Sequence, residues 1–391
     1  MDLKEEFYKG MEEISRYWKF PTYSIKTRYY SPAPMNEIVF AGLLSRNTLN
    51  LLIGQYGTGK STLIEMMHFT FFNDEFSNPG RIRLFERLTP FDVLFNINIG
   101  KLVKEGVEDI TPRRFVTSHF KFINELGRGN TEVYNALLSL FAEGYVEYRY
   151  KIFKTPDYTC YADMNPKDVG SREIPSAFWD RINMTIEVPS MGTDDIFELM
   201  TIKYVKTMKR RLTELLEPVM TSKEMLKIWD EVDQIKVSPG SILLLSLIYS
   251  AFKCPKYERT IIDHRFTLPC DRCEYKGELC SYISELWGTR WIESTIITAK
   301  ALAWIRDLPI VEIKLILEVL PYTLAHRLIL KREYYTNYIN RFEFITSKVY
   351  ETIYLKRNLW KEAINAYLKK DKETLTKLAK TDNAIKVFMK K

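Results

Sequence analysis

Residues 49–62 read LNLLIGQYGTGKST, and no other stretch limits the chain so narrowly. An apolar strand passes through a glycine-containing loop into the amphipathic run STLIEMMHFTFF. The loop satisfies G-x-x-x-x-G-K-[ST] as Gly54, Gly59, Lys60 and Ser61, in the strand–loop–helix setting that the pattern requires. Such glycines let backbone N–H groups curl around a β-phosphate at a helix N-terminus, where the partial positive charge lies. Lys60 then reaches the β- and γ-phosphates, and the Ser61 hydroxyl is offered to Mg²⁺. Gln55, Tyr56, Gly57 and Thr58 complete the loop and Thr62 follows it, so Gly54 to Thr62 are the candidate nucleotide-binding residues. The pattern specifies a nucleoside triphosphate, but neither the base nor the use made of hydrolysis.

The chain has 391 residues, which calls for a core domain with one or two satellites. A net charge of +7 is spread along the chain apart from a lysine-rich tail, and it speaks to solubility and loose association rather than to a site. SILLLSLIYSAF, from Ser241, is about half of the ~20 residues a membrane-spanning helix needs, and reads as a buried helix. The N-terminus lacks a signal-peptide core and places Phe7, Met11, Ile14 and Trp18 on one helical face. A cytoplasmic protein with reduced thiols is expected, with no membrane partner. Gln55 and Gln234 are its only glutamines in a composition rich in Lys, Glu, Ile and Tyr, which fits a thermophilic source and AT-rich codon bias equally.

Downstream of the loop, FVTSHFKFINEL (115–126) reads as a second strand ending at Asn124 and Glu125. TEVYNALLSLFAEGYV follows, with Val133, Leu137, Leu140 and Phe141 on one helix face. YTCYADMNP gives a third strand ending in Asn165, and IPSAFWDRINMTIEVP puts Arg181 before a fourth. This order resembles the MoxR-like group of AAA+ ATPases and, more distantly, the archaeal replicative helicase relatives. The family's DE-I-N-R, ALLEAM-E, AT-NP and LP-A--DRF segments correspond to NELGR (124–128), ALLSLFAEG (136–144), ADMNP (162–166) and IPSAFWDRI (174–182). LTPFD (88–92), GTRWIESTIITAKALAWI (288–305) and LPYTLAHRL (320–328) extend the likeness over roughly residues 35 to 330.

The resemblance implies an ATP site with Mg²⁺. Glu125 would polarise the attacking water, Asn165 would sense the γ-phosphate, Arg181 would act on the neighbouring subunit's nucleotide, and Arg290 would be a second sensor on the lid. An arginine working in trans implies a homo-oligomeric ring, in this family a hexamer. Without the resemblance, Asn165 before Pro166 is equally a turn residue, and Arg181 a partner for Asp180 or Glu187. One departure stands out. Asn124 occupies the aspartate position, offering a carbonyl oxygen but no charge, so the metal loses an electrostatic partner and slow hydrolysis is expected.

Cys254, Cys270, Cys273 and Cys280 fall in one segment of the lid at spacing C-x15-C-x2-C-x6-C and look like an insertion, whereas Cys160 reads as a small core residue. A [4Fe–4S] cluster, a structural Zn²⁺ and disulfides all remain open, with His264 able to replace a cysteine in the zinc case.

The expected fold is α/β: an N-terminal helical region (1–30), an αβα AAA+ P-loop core with a parallel sheet (31–200), an all-helical lid (201–335) holding the cysteine insertion (254–280), and a basic helical C-terminal tail (336–391). The leading functional expectation is an ATPase that remodels a protein client, with a von Willebrand factor A domain partner. A nucleic-acid motor of helicase or mobile-element type and a nucleotide-gated scaffold are the alternatives.

Overall fold

Apolar strands that alternate with helices pair most readily in parallel, because each crossover helix covers a face of the sheet and leaves both faces dry. In the computed structural model, which describes residues 2–20, 27–166, 173–190, 192, 193, 197, 215–254 and 273–389, the chain follows that rule. It divides into two units: Met1–Tyr23 with Pro34–Gln234, and Ser24–Ala33 with Ile235–Lys391.

The first unit carries α1 (Leu3–Tyr17), α2 (Met35–Leu43), β1 (Thr48–Ile53), α3 (Lys60–Phe71), β2 (Gly80–Arg83), β3 (Phe120–Asn124), α4 (Thr131–Glu143), β4 (Thr159–Met164), β5 (Ile182–Glu187) and α5 (Ser222–Gln234). The five strands form one parallel sheet in the order β2-β3-β4-β1-β5. β1 and β4 read TLNLLI and TCYADM and are buried over all but their last residue, as central parallel strands must be. Phe7, Ile14 and Trp18 of the N-terminal face are buried, and the Phe7 ring packs at a tilt against Phe71 of α3, centroids 4.9 Å apart. In α4, Val133, Leu137 and Leu140 are fully buried and Phe141 packs against the same core.

The second strand is shorter than its apolar sequence suggests. Arg114–Thr117 make a helical turn, and β3 begins only at Phe120. The reason lies in two buried charges. Glu75 accepts from the N–H groups of His119 and Phe120 and from Arg114 Nη2, drawing the chain into a turn at this point. Lys121, fully buried, donates to the carbonyls of Phe115 (2.7 Å), Val116 (3.0 Å) and Ser118 (2.7 Å), which an extended strand could not aim at one ammonium. Burial pushes the Lys121 pKa down to about 7. The third strand likewise stops at Met164, leaving Asn165 beyond it.

The second unit is mainly helical: α6 (Pro239–Phe252), α7 (Arg290–Ile305), α8 (Ile313–Leu324), α9 (Tyr350–Leu368), α10 (Lys372–Ala379) and α11 (Asn383–Met389). The apolar run from Ser241 lies within α6, capped by Ser238 with proline in the first turn, and buries Leu244, Leu245, Leu247 and Ile248. Among the described residues, no helix is long and apolar enough to cross a membrane.

Candidate nucleotide site

The carboxyl ends of β1, β3 and β4 lie side by side, the position at which open α/β sheets bind ligands. β1 leads into Gly54, where a Cβ would lie 2.4 Å from the Val188 carbonyl oxygen, so only glycine fits. The loop then turns through Gly57 and Gly59 at φ of 77° and 81°, a region that costs other residues about 1–2 kcal/mol. Thr58 Oγ1 donates to the Gln55 carbonyl (3.0 Å), and Trp18 Nε1 donates to the Gly59 carbonyl (3.2 Å), bracing the loop from within and from α1. α3 starts at Lys60, so the first N–H groups of the helix, which have no partner inside it, open toward the loop. Gln55, Tyr56 and Gly57 are exposed at the rim, while Ser61 and Thr62 are half-buried on the first turn of α3.

Lys60 is buried. Its Nζ donates to the carbonyls of Gly54 (2.8 Å) and Gln55 (2.7 Å) and to Asn165 Oδ1 (3.0 Å). Burial holds its pKa below the ordinary lysine range, and the charge of Asp163 opposes that shift. Asn165, just past β4, is thus brought to the loop lysine.

Sequence reasoning passed over Asp163. It is 3% exposed on β4, paired with Leu52 of β1 on one side, while its neighbour Ala162 pairs with Ile123 of β3 on the other. The Ser61 hydroxyl donates to Asp163 Oδ2. Asn124 Nδ2 donates to both carboxylate oxygens (2.9 and 3.1 Å), and the Glu125 N–H donates to Oδ1 (2.6 Å). The charge expected to be missing at Asn124 is therefore present, one strand over, against the same serine. In sequence it shows only as a lone carboxylate inside the strand TCYADM.

Glu125 sits at φ 59°, in the left-handed region that β-carbons disfavour. Its carboxylate meets Arg83 from the end of β2 (Nη2 at 2.9 Å, Nε at 3.3 Å) and Arg128 (3.3 Å). Arg83 was likewise unanticipated.

Two other candidates are carried by other elements. Arg181 precedes β5, whose Ile182 pairs with Leu49 at the start of β1, whereas the loop leaves the other end of that strand. It is half-buried, and its charge is felt by Tyr158, ahead of β4. Arg290 is the exposed first residue of α7 in the second unit. Of the cysteines, Cys254, Cys273 and Cys280 are half-buried, while Cys270 and His264 lie outside the described residues. Among the described residues, no group of three or more His, Cys, Asp or Glu could hold a metal ion. Cys160 is fully buried on β4, as a core residue would be.

Residues 50–182 match the family model of the AAA domain, dynein-related subfamily. No curated protein sequence matches the chain. Among solved structures, a candidate ATPase from Cytophaga hutchinsonii is similar, at 21% identity and a TM-score of 0.67, over 90% of this chain and 94% of that one. With its parallel sheet, its phosphate loop and the match of residues 50–182 to the AAA-domain model, the chain has the AAA+ P-loop ATPase fold, followed by a helical C-terminal region.

Proposed function

We propose that this protein binds ATP with Mg²⁺ at the loop Gly54–Thr62 and hydrolyses it, working as a ring that remodels a protein client. The observation that carries the reading is the meeting of Lys60, Ser61, Asn124, Asp163 and Asn165 at the ends of β1, β3 and β4. The donors fit the ion: a serine hydroxyl and a buried carboxylate are the hard oxygen ligands that Mg²⁺ takes. Bound with the triphosphate beside Ser61 and Asp163, Mg²⁺ would supply positive charge that offsets the negative charge developing on the phosphates.

The chain's own residues do the rest. The N–H groups of the loop and of the first turn of α3 cradle the phosphates, and Lys60 exchanges its carbonyl partners for phosphate oxygens. Asn165, released from Lys60, orients toward the γ-phosphate. Glu125, once turned from Arg83, accepts the proton of the attacking water. Arg181 serves the neighbouring subunit, and Arg290 on the second unit acts as a further sensor. A homo-hexamer is the ring we favour, located in the cytoplasm, with a von Willebrand factor A domain protein as the natural partner. Cys254, Cys270, Cys273 and Cys280 would hold a [4Fe–4S] cluster or Zn²⁺ of structural role, which iron and zinc analysis of anaerobically purified protein decides.

The test is ATP turnover by the full chain. Glu125→Gln should lower hydrolysis at least about 100-fold while ATP still binds, since a general base contributes that much. Lys60→Ala should lose binding as well. Turnover unchanged in Glu125→Gln sinks the assignment of the base. The same assay separates the roles of the ring: stimulation by DNA rather than by a protein client would favour a nucleic-acid motor, and no turnover with Mg²⁺ or Mn²⁺ would leave a nucleotide-gated scaffold.

A further inference from the structure

We infer that Asp163 supplies the carboxylate that faces the active-site Mg²⁺, taking over from β4 the task that the end of β3, with Asn124, cannot perform. The assignment rests on the ATP site proposed above and concerns which strand charges it.

Burial gives the first argument. A polar side chain 3% exposed in a central strand is costly to bury unless partners satisfy it. The donors to Asp163 are all neutral: the Ser61 hydroxyl, the Asn124 amide and the Glu125 N–H. The Lys60 ammonium feels the Asp163 charge, but its hydrogen bonds go to loop carbonyls, Thr58 and Asn165. Among the described residues, the hydrogen bonds to this buried carboxylate thus all come from neutral donors, beside a site whose natural ligands are a polyphosphate and its cation.

Position gives the second. Ser61 is the residue whose hydroxyl the phosphate loop directs at the ion. Asp163 Oδ2 already accepts from that hydroxyl, so the carboxylate lies where an ion bound by Ser61 would meet it. Adjacent strands are about 4.8 Å apart, a distance the two side chains span, because Asn124 and Asp163 are in hydrogen-bonding contact. Asn124 accordingly acts as a donor that fixes the carboxylate. Its amide takes the place of a second negative charge, which would repel the first.

The competing role for Asp163 is structural, since it also caps the Glu125 N–H and so supports the left-handed residue there. The two roles predict different signs. A metal-facing carboxylate repels bare ATP and attracts the ion, whereas a purely structural one supports both kinds of binding.

The experiment titrates the full chain with ATP in EDTA and with MgATP, and follows Mn²⁺ by EPR in the presence of a non-hydrolysable ATP analogue. Asp163→Asn should weaken Mn²⁺ binding about 10- to 100-fold while binding bare ATP more tightly than the wild type. The double variant Asn124→Asp/Asp163→Asn, which moves the charge back to β3, should recover Mn²⁺ affinity and guards against a folding defect in the single variant. Unchanged Mn²⁺ affinity in Asp163→Asn, equal losses of bare ATP and Mn²⁺, or no recovery in the double variant would each overturn the assignment. Wild-type protein that binds ATP in neither condition overturns the nucleotide site itself, a distinct result.

Discussion

Glu125 is under two local constraints that bear on how fast the site can work. Its backbone is left-handed, held by the hydrogen bond from its N–H to Asp163, and its carboxylate is engaged by Arg83 and Arg128. A carboxylate held in an ion pair has to leave its partner to reach a phosphate-bound water. Arg83 is 64% exposed, so the pair contributes no more than about 1 kcal/mol. Arg83→Ala should therefore raise kcat about two- to fivefold with KM for ATP unchanged, read from steady-state hydrolysis. A fall in kcat would show that Arg83 holds Glu125 ready for catalysis instead of restraining it. The same scale sets the expectation for Asn124→Asp alone. Beside Asp163 it sets two carboxylates in contact in a buried place, so the single substitution is expected to destabilise the fold and leave turnover without gain.

At the scale of elements, α3 is fixed to β3 by a histidine that must stay neutral. His68 is buried, stacks on Phe120 at 4.6 Å and meets Phe76 edge-on at 5.4 Å, with Nε2 lacking a hydrogen-bond partner among the described residues. Burial first, and then the charge of Arg114, push its pKa down to about 4, with Asp74 opposing. The folded value lies below the unfolded one, so the neutral form's contribution is complete above about pH 6.5 and is lost as pH falls toward 4. Unfolding free energies from urea titrations at pH 7.5 and pH 5 should differ more for the wild type than for His68→Gln, by about 2 kcal/mol. Equal pH dependence of the two proteins would show that His68 titrates normally.

These elements also show where sequence was and was not informative. The phosphate loop was legible because its spacing encodes a local shape, needing only the strand before it and the helix after it. Helix faces such as Val133, Leu137 and Leu140 were legible because burial follows a fixed period. The break before β3 was not, because an apolar run hides the non-local claims of Glu75 and Lys121 on its carbonyls and N–H groups. Asp163 was missed for a related reason. The pattern of a strand shows that one residue is polar, but only strand order reveals which loop that residue faces.

At the scale of the whole molecule, the position of Arg181 decides between a self-sufficient site and a shared one. β5 runs parallel to β1 from Leu49↔Ile182 to Ile53↔Glu187, so Arg181 and the phosphate loop are at opposite ends of the same pair of strands. Five residues of strand separate them by roughly 16 Å, beyond the reach of an arginine side chain. An Arg181 that acts on a phosphate must act on another subunit's, across a head-to-tail interface of the kind that closes rings. Mixing provides the test. Arg181→Ala subunits keep the base and lack the arginine, Glu125→Gln subunits keep the arginine and lack the base, and each should be nearly inactive alone. Combined in equal amounts and exchanged at random, an intact pairing arises at about a quarter of the interfaces, so turnover should rise to about a quarter of the wild-type value. Full activity in Arg181→Ala alone would remove the arginine from the mechanism, and mixtures no more active than their components would mean that Arg181 does not complete a neighbour's site.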